Sequence, residues 1–271
     1  MGPHPEYGFD LEKVILARTG GKKPSRLLLW AMNRFLHADF FNEFLTRGDE
    51  GVEMCTRAVE YLDLTVETEG IDDIHLPPGA KMSFASNHPL GGADGIILAS
   101  IIGRHFTGDL GIAVNSFLMN LKGLAPLCVS VEKMGGQSRN LPEQIRGMYR
   151  DREAVLVFPA GQCSRIYDGV IQDCPWSKSF VSLSRDNGRW IIPVHFIGTN
   201  SRRFYRTDLL CRKLGIKFNI PMFMLPGEMY KSVGKNFKVV FGKPIPPEHF
   251  DDSRKPVEWA AEIRDSIYRL Q

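Results

Sequence analysis

The sequence predicts an α/β protein in which a mixed, largely parallel sheet is flanked by helices and preceded by a helical N-terminal element. Short apolar segments rich in Val, Ile and Leu alternate with segments that have the period of amphipathic helices. Turns that contain glycine or proline follow several of the apolar segments, as at the carboxyl ends of parallel strands. The chain has 271 residues, 43% of them hydrophobic, which is enough to bury a large core.

The helical N-terminal element is assigned to residues 1–48, and a single domain to residues 49–271. Residues 26–38 place apolar side chains on one side of a helical wheel and Arg, Asn and His on the other, with only Trp30 misplaced. After this segment the apolar side chains lie on a different face, which predicts a break near Asp39 and a second short helix. Such helices fit either packing on the domain or lying in a membrane interface.

The elements of the main domain follow from periodicity and from the turn residues between them. Helices are assigned where apolar residues recur at helical spacing, and strands where short β-branched or apolar runs are bounded by turn residues. In chain order, the prediction is a helix over 50–61, strands over 62–67 and 81–85, a helix over 95–104, strands over 110–114 and 126–131, a helix over 139–151, strands over 154–158, 190–197 and 238–241, and a closing helix over 257–270.

One apolar segment, residues 218–226, fits two interpretations. It contains prolines and is rich in methionine, whose flexible side chain adapts to irregular apolar surfaces. A buried strand is the favoured prediction, and a contact for an acyl chain is the alternative.

Charge and composition exclude several classes of protein. The net charge of +3 is too small to indicate nucleic-acid binding but is compatible with an anionic substrate or a membrane surface. The five cysteines form no CxxC pair and no metal-ligand spacing, so neither a disulfide framework nor a metal site is predicted. Phosphate-loop, dinucleotide-binding and HExxH motifs are absent. No signal peptide or transmembrane run is visible, which predicts a cytoplasmic protein that meets the cell membrane only at its inner surface.

The most informative motif is the glycine-rich turn NHPLGGADG, which follows a predicted strand and holds His88 and Asp94 close together. An imidazole titrates near neutral pH, and a carboxylate on one ring nitrogen fixes the tautomer and stabilises the imidazolium. Such a pair can take a proton from an alcohol, which makes acyl transfer the chemistry to test. The alternative is an ordinary strand-to-helix turn in which Asp94 caps the following helix.

Three later segments also place functional residue types at predicted strands. FPAGQCSR combines Gly161, which permits close backbone approach, with Arg165, whose planar guanidinium suits a phosphate or carboxylate. PLCVSVEK ends in Lys133, whose charge is either solvated or directed at a substrate. IIPV contains Pro193, and a proline within a strand indicates an edge, a strand end or a wall that faces a ligand.

The ordered series NHPLGGAD, PLCVSVEK, FPAGQCSR and IIPV resembles the four successive motifs of the lysophospholipid/glycerol-phosphate acyltransferase superfamily. Downstream, IGTNSRRFY and LGIKFNI are similar to a bacterial subgroup often labelled hemolysins, related to the O-acyltransferases of ornithine and glycine lipids. The resemblance implies the glycerolipid acyltransferase fold. It also implies transfer of a fatty acyl group from acyl carrier protein or coenzyme A to the hydroxyl of a lysolipid, with no metal, redox cofactor or covalent intermediate.

The resemblance implies a role for each matching position of the turn. His88 would be the general base that acts on the acceptor hydroxyl, and Asp94 would orient it. Asn87, Gly91 and Gly92 would bind substrate, and the N–H groups of the two glycines would face the thioester carbonyl.

The resemblance assigns the other motifs to the substrates. Gly161 and Arg165 would help to hold the anionic group of the acceptor. Lys133, at a position where the family commonly has Arg, would contribute more weakly, and Pro193 would shape the acyl-donor side.

Two departures from the family pattern bear on these roles. Five residues separate His88 from Asp94, whereas the family has four, so the carboxylate must approach by a different loop path. Ala160 stands where the family has an acidic residue that helps to bind glycerol phosphate. This absence argues against lysophosphatidate and favours another lysolipid.

Two other functions stay open from the sequence. A hydrolase with a Ser or Cys nucleophile would lack the GxSxG pattern, because Ser86, Cys163 and Ser164 have no such glycine context. A lipid-binding protein without catalytic activity is suggested by the hemolysin label alone. A trappable acyl-enzyme would distinguish the hydrolase from the transferase.

Overall fold

The computed structural model describes residues 3–114, 121–130, 141–216 and 218–270. Within these ranges, a group of N-terminal helices precedes alternating strands and helices. The helices are α1 (Leu11–Arg18), α2 (Arg26–Leu36), α3 (Ala38–Leu45), α4 (Gly51–Tyr61), α5 (Ala93–His105), α6 (Leu141–Asp151), α7 (Ser179–Asp186), α8 (Arg202–Lys213), α9 (Ile220–Tyr230) and α10 (Pro256–Ile267). The strands are β1 (Thr65–Glu69), β2 (Met82–Ser86), β3 (Leu110–Val114), β4 (Cys128–Ser130), β5 (Ala154–Val157), β6 (Arg165–Tyr167), β7 (Val170–Gln172), β8 (Trp190–Ile197) and β9 (Asn236–Phe241).

Seven strands form one mixed sheet in the order β1-β9-β8-β2-β5-β3-β4, and β6 and β7 form a separate hairpin. Strands β8, β2, β5, β3 and β4 run parallel, β1 runs parallel to β9, and β8 and β9 pair antiparallel. Parallel strands need both faces covered. Phe84 of β2 packs with α4 and α5 on one face, and its neighbour Ala85 packs with α6, α7 and α10 on the other. The predicted fold class is confirmed.

Most predicted elements are present with boundaries that differ by about three residues or fewer, but the strand predicted over residues 218–226 is wrong. This segment contributes most of α9, because local capping outweighs its strand-like composition. The side chain of Asn219 accepts a hydrogen bond from the Met222 N–H, and Pro221 lies in the first turn, where proline is tolerated. Sequence reasoning also missed α1, α7, α8 and the hairpin of β6 and β7.

The predicted pair of N-terminal helices is present, with the break at His37 rather than Asp39. His37 has left-handed backbone angles (φ 52°), and its ring stacks on Tyr230 with centroids 3.9 Å apart. Phe44 of α3 belongs to the main core cluster, whereas Trp30 of α2 is exposed. No helix in the described ranges is both long and apolar enough to cross a bilayer. The boundary between residues 48 and 49 stays a prediction.

Candidate active site

The turn between β2 and α5 brings His88 and Asp94 together at the carboxyl end of a central strand. The Nδ1 atom of His88 lies 3.0 Å from Oδ2 of Asp94, within ion-pair distance, although the N–H direction is poorly aligned for a hydrogen bond. The side chain of His88 is 17% exposed, and that of Asp94 is fully buried. Because Nδ1 faces the carboxylate, the second ring nitrogen, Nε2, lies on the opposite side of the imidazole. It is the atom that a substrate hydroxyl would meet.

The Asp94 carboxylate is held by the turn itself. Its Oδ2 accepts hydrogen bonds from the N–H groups of Leu90 (2.8 Å) and Gly91 (3.2 Å), and its Oδ1 from those of Gly92 (3.0 Å) and Gly95 (2.9 Å). Gly91 has a φ of +77°, and a Cβ there would come within 2.9 Å of neighbouring side chains. The longer spacing between His88 and Asp94 is therefore accommodated by a loop that wraps around the carboxylate.

This arrangement corrects one expectation. The N–H groups of Gly91 and Gly92 were expected to face a thioester carbonyl, but both donate to Asp94 and are not directed at a substrate. The two glycines instead line an apolar cavity. Their predicted role in substrate binding therefore reduces to shaping this cavity, and that role stays a prediction.

Burial and charge act in opposite directions on the pair. Burial is the largest influence on His88 and lowers its pKa, but the negative charge of Asp94, 3.0 Å from Nδ1, outweighs burial, and the pKa lies above its ordinary value. Burial likewise opposes ionisation of Asp94, but His88 and the backbone N–H donors hold the pKa of this carboxyl below its ordinary value. The site therefore favours an ionised carboxylate that stabilises an imidazolium.

A second buried carboxylate, Asp173, lies beside His88 and was missed from the sequence. Its Oδ1 accepts hydrogen bonds from the Ser164 hydroxyl (2.6 Å) and from the backbone N–H of His88 (3.3 Å), and its Oδ2 accepts one from the Trp176 indole N–H (3.0 Å). The Ser164 N–H in turn donates to the His88 carbonyl (2.7 Å). Burial raises the pKa of Asp173. This carboxyl ties the FPAGQCSR loop to the histidine turn.

The FPAGQCSR loop itself carries Gly161 and Arg165, which differ in exposure. Gly161 is exposed with a φ of +67°, and apart from its two neighbours in the chain no heavy atom lies within 4 Å of the position that a Cβ would take. Arg165 is buried; its Nε lies 2.8 Å from Oδ1 of Asp208 on α8, and its guanidinium lies over the ring of Phe204. The charge of Arg165 thus has a partner within the protein. Its predicted contact with an acceptor anion stays a prediction.

The other predicted binding residues lie in or next to the sheet, or fall outside the described ranges. Asn87 is buried, and its side chain exchanges two hydrogen bonds with the backbone of Phe196, which ties β2 to β8. Of the three placements predicted for Pro193, the sheet edge is excluded, because β8 lies between β2 and β9 and the Pro193 carbonyl accepts a hydrogen bond from the Gly242 N–H. Its predicted role on the acyl-donor side stays a prediction. Lys133 lies outside the described residues.

An apolar cavity of about 160 Å³ lies beside the histidine turn. Helices α3, α4 and α9 supply most of its wall, and the side chains are aliphatic or aromatic. The tyrosine in this wall directs its hydroxyl to the Phe40 carbonyl. The lining residues are Phe9, Leu36, Ala38, Phe41, Phe44, Leu45, Met54, Ala58, Tyr61, Leu62, Gly91, Gly92, Ile96, Leu121, Met222, Leu225, Pro226 and Met229. Such a cavity suits an aliphatic chain.

The described residues contain no group of three or more His, Cys, Asp or Glu side chains placed to hold a metal ion. What the site presents is one buried acid–base pair next to an apolar cavity. It can therefore hold an aliphatic chain while it removes a proton from a hydroxyl group at Nε2 of His88.

Comparison with known proteins supplies three similarities. The chain matches the acyltransferase family over residues 25–270. It is 40% identical over 266 residues to a protein of Phocaeicola vulgatus named lyso-glycine lipid O-acyltransferase, with 97% of this chain and 95% of that protein covered. It is 43% identical over 268 residues to a protein of the same name from Bacteroides thetaiotaomicron, with 97% of both covered.

Among solved structures, the fold is similar to the crystal structure of the 1-acyl-sn-glycerophosphate (LPA) acyltransferase PlsC from Thermotoga maritima. The TM-score is 0.52 at 16% sequence identity, and the match covers 95% of this chain and 87% of that one. At this identity the likeness concerns the fold alone.

Proposed function

Because this chain belongs to the acyltransferase family and is an O-acyltransferase of the lysolipid type, we propose that it moves a fatty acyl group from a thioester to the hydroxyl of a lyso-glycine lipid. The observation that carries the proposal is the pair of His88 and Asp94 beside the apolar cavity. The names of the two curated relatives support the acceptor. Ala160, in place of an acidic residue, also argues against glycerol phosphate.

In the proposed mechanism, Nε2 of His88 accepts the proton of the acceptor hydroxyl as its oxygen attacks the thioester carbonyl carbon. The resulting tetrahedral intermediate collapses, the carbon–sulfur bond breaks, and the imidazolium returns the proton to the departing thiolate. Asp94 stays ionised throughout and stabilises the imidazolium. The donor is an acyl carrier protein or coenzyme A thioester, and neither a metal nor a redox cofactor takes part.

A covalent acyl-enzyme is not favoured by the side chains around the site. Burial raises the pKa of the Cys163 thiol to about 11, which disfavours the reactive thiolate. The Ser164 hydroxyl donates to Asp173 rather than to an imidazole base. Direct transfer therefore fits better than hydrolysis through a Ser or Cys nucleophile.

The acceptor assignment is tested with a panel of lyso-glycine, lyso-ornithine and lysophosphatidate acceptors and a labelled acyl thioester. We expect the labelled product from the lyso-glycine lipid. A product from lysophosphatidate alone would overturn the proposed acceptor. Parallel reactions with acyl carrier protein and coenzyme A thioesters would identify the donor.

The apolar cavity should set the length of the acyl chain. Ala58 lines it from α4, so replacement of Ala58 with leucine fills part of its volume. We expect kcat/KM for long-chain donors to fall about tenfold relative to short-chain donors. A tenfold change corresponds to a loss of about 1.4 kcal/mol in the binding free energy of the long chain. Ala261→Leu, at an exposed position on α10, serves as the matched control. Equal losses for all chain lengths would show that the cavity does not hold the acyl chain.

The pH dependence of the reaction should follow the titration of His88. Only the neutral imidazole accepts a proton, and the pKa of His88 in the folded protein lies above 6.5. We therefore expect kcat/KM to rise with pH through an apparent pKa above 6.5 and then to level off. A profile that is flat across this range, measured with a donor that is stable to hydrolysis, would contradict the proposed base.

The ion pair of Arg165 and Asp208 provides a test of the role of Arg165. Arg165→Met should destabilise the fold by about 1–3 kcal/mol, because Oδ1 of the buried Asp208 loses its hydrogen-bond donor while Oδ2 keeps Arg212. Arg165→Met combined with Asp208→Leu should recover most of that loss. If Arg165 only supports the loop, the double variant also recovers activity; a KM for the acceptor that stays raised would indicate direct contact.

A lipid acceptor also requires contact with a membrane, and we propose the inner face of the cell membrane as its site. Helix α2 exposes four large apolar side chains and begins next to a basic segment that contains Lys22, Lys23 and Arg26. Such a surface fits the headgroup region of a bilayer. The exposed apolar side chains are those of Leu27, Leu28, Trp30 and Phe35.

A further inference from the structure

A second exposed apolar surface lies on α8 and the loop that follows it, far along the chain from α2. Leu214 and Phe218 are each 64% exposed, and three other large apolar side chains lie close to them in the sequence. The full set is Leu209, Leu210, Leu214, Ile216 and Phe218, which we call the α8 surface. Nothing in the mechanism uses these side chains.

The same helix face is basic. Four cations follow the helical spacing of the exposed leucines, so they share the side of α8 that points away from the protein. Within the described ranges none of them forms an ion pair, whereas Arg212, nearer the buried side, is paired with Asp208. The cations are those of Arg202, Arg203, Arg206 and Lys213.

The opposite face of α8 is anchored in the site. Phe204, Asp208 and Cys211 are buried, and Asp208 pairs with Arg165 of the FPAGQCSR loop. Helix α9, which forms part of the cavity wall, packs against both α8 and α2. The α8 surface and the exposed side chains of α2 therefore belong to two helices that flank the same wall of the cavity.

We propose that the α8 surface is a second membrane-docking surface, and that it binds a lipid bilayer with anionic headgroups. Leucine, isoleucine and phenylalanine enter the headgroup boundary, and the unpaired cations contact lipid phosphates. Charge complementarity favours an anionic bilayer over a second copy of this chain, because two copies of this basic face would repel each other. The inference extends the proposed function, whose acceptor is a lipid.

The charge contribution is tested by flotation of the full chain with vesicles of phosphatidylglycerol and phosphatidylcholine in equal parts. Arg203→Glu with Arg206→Glu should weaken binding at least about thirtyfold, the factor for two cations at an anionic surface. Lys243→Glu with Lys255→Glu makes the same change of charge at two exposed positions outside α8. A loss no larger than in this control would overturn the proposal.

The apolar contribution is tested by Leu210→Ser with Leu214→Ser, with Val257→Ser on α10 as the exposed apolar control. Weaker flotation of the leucine variant alone is the expected result, with circular dichroism unchanged. Light scattering tests the alternative occupant, a second copy of this chain. A dimer of the parent chain that Leu210→Ser with Leu214→Ser converts to monomers would overturn the bilayer proposal.

Binding and transfer are measured separately. With the lyso-glycine acceptor in detergent micelles, the α8 variants should keep their kcat/KM within about twofold of the parent chain, since none of their positions lies at the His88 site. Vesicle binding without transfer would refute the proposed function and leave the docking surface intact. Acyl transfer by the parent chain, without a specific loss of vesicle binding in the α8 variants, would support the proposed function and refute the docking surface.

Discussion

Replacement of His88 with alanine should lower kcat/KM by about 10²- to 10⁴-fold, the usual contribution of a general base. The fold should survive, because the Asp94 carboxylate keeps the hydrogen bonds from four backbone N–H groups when the imidazole is gone. The measurement is steady-state transfer from a labelled thioester, with circular dichroism and thermal unfolding as checks of the fold.

The matched control is His195→Ala. This histidine lies on β8, and its Nδ1 lies 2.7 Å from the Leu270 carbonyl rather than beside a carboxylate. Its replacement should change the activity only a few-fold. If the His88 variant transferred acyl groups at the parent rate, the assignment of the base would be wrong.

Replacement of Asp94 with asparagine should lower both activity and stability. An amide has one oxygen, so its NH₂ group must face two of the four backbone donors that the carboxylate now satisfies. Two unsatisfied buried N–H groups cost about 1–3 kcal/mol each, which predicts a loss of about 2–6 kcal/mol in the free energy of unfolding. Denaturant unfolding at neutral pH measures this loss.

The activity of the Asp94→Asn variant should fall by about 10²-fold or more, because the imidazolium loses the charge that stabilises it. The same loss should lower the pKa of His88, so the rise of kcat/KM with pH should move to lower pH. In the parent chain the lowered pKa of Asp94 adds stability above its unfolded-state pKa, and that stability is lost as the pH falls through the folded value. The variant should lack this dependence.

Asp109→Asn is a suitable control for the carboxylate variant. Asp109 is a more exposed carboxylate paired with Arg152, and such pairs contribute at most about 1 kcal/mol. We expect a small change in stability and none in activity. Parent-like kinetics in the Asp94 variant would show that the carboxylate does not act through His88.

Local sequence signals predicted the parts of the fold and site that depend on neighbours in the chain. The alternation of apolar strands and amphipathic helices predicted the sheet, and β3 and β8 have the predicted boundaries. The turn was also readable, since His88 and Asp94 are six positions apart in a segment whose glycines permit it. Segment 218–226 shows the limit, because its composition suits a strand but an N-terminal cap makes it a helix.

Interactions between distant segments could not be read in the same way. Asp173 lies 85 residues from His88, and Arg165 is paired with a residue 43 positions away. Neither partner has a periodic or motif signal of its own. The use of Gly91 and Gly92 as donors to Asp94 also depends on the backbone conformation of the turn, which the residue types permit but do not specify.

The sequence by itself determined the α/β class and the histidine–carboxylate turn, because hydrophobic period and turn chemistry act over a few residues. It also carries the ordered motifs that resemble those of the acyltransferase superfamily. Only the tertiary structure decided how the turn wraps Asp94, that Asp173 lies beside His88, and that α3, α4 and α9 together supply most of the cavity wall. The physical reason is that burial and ion pairing depend on which segments the sheet order brings together, and local propensity does not encode that order.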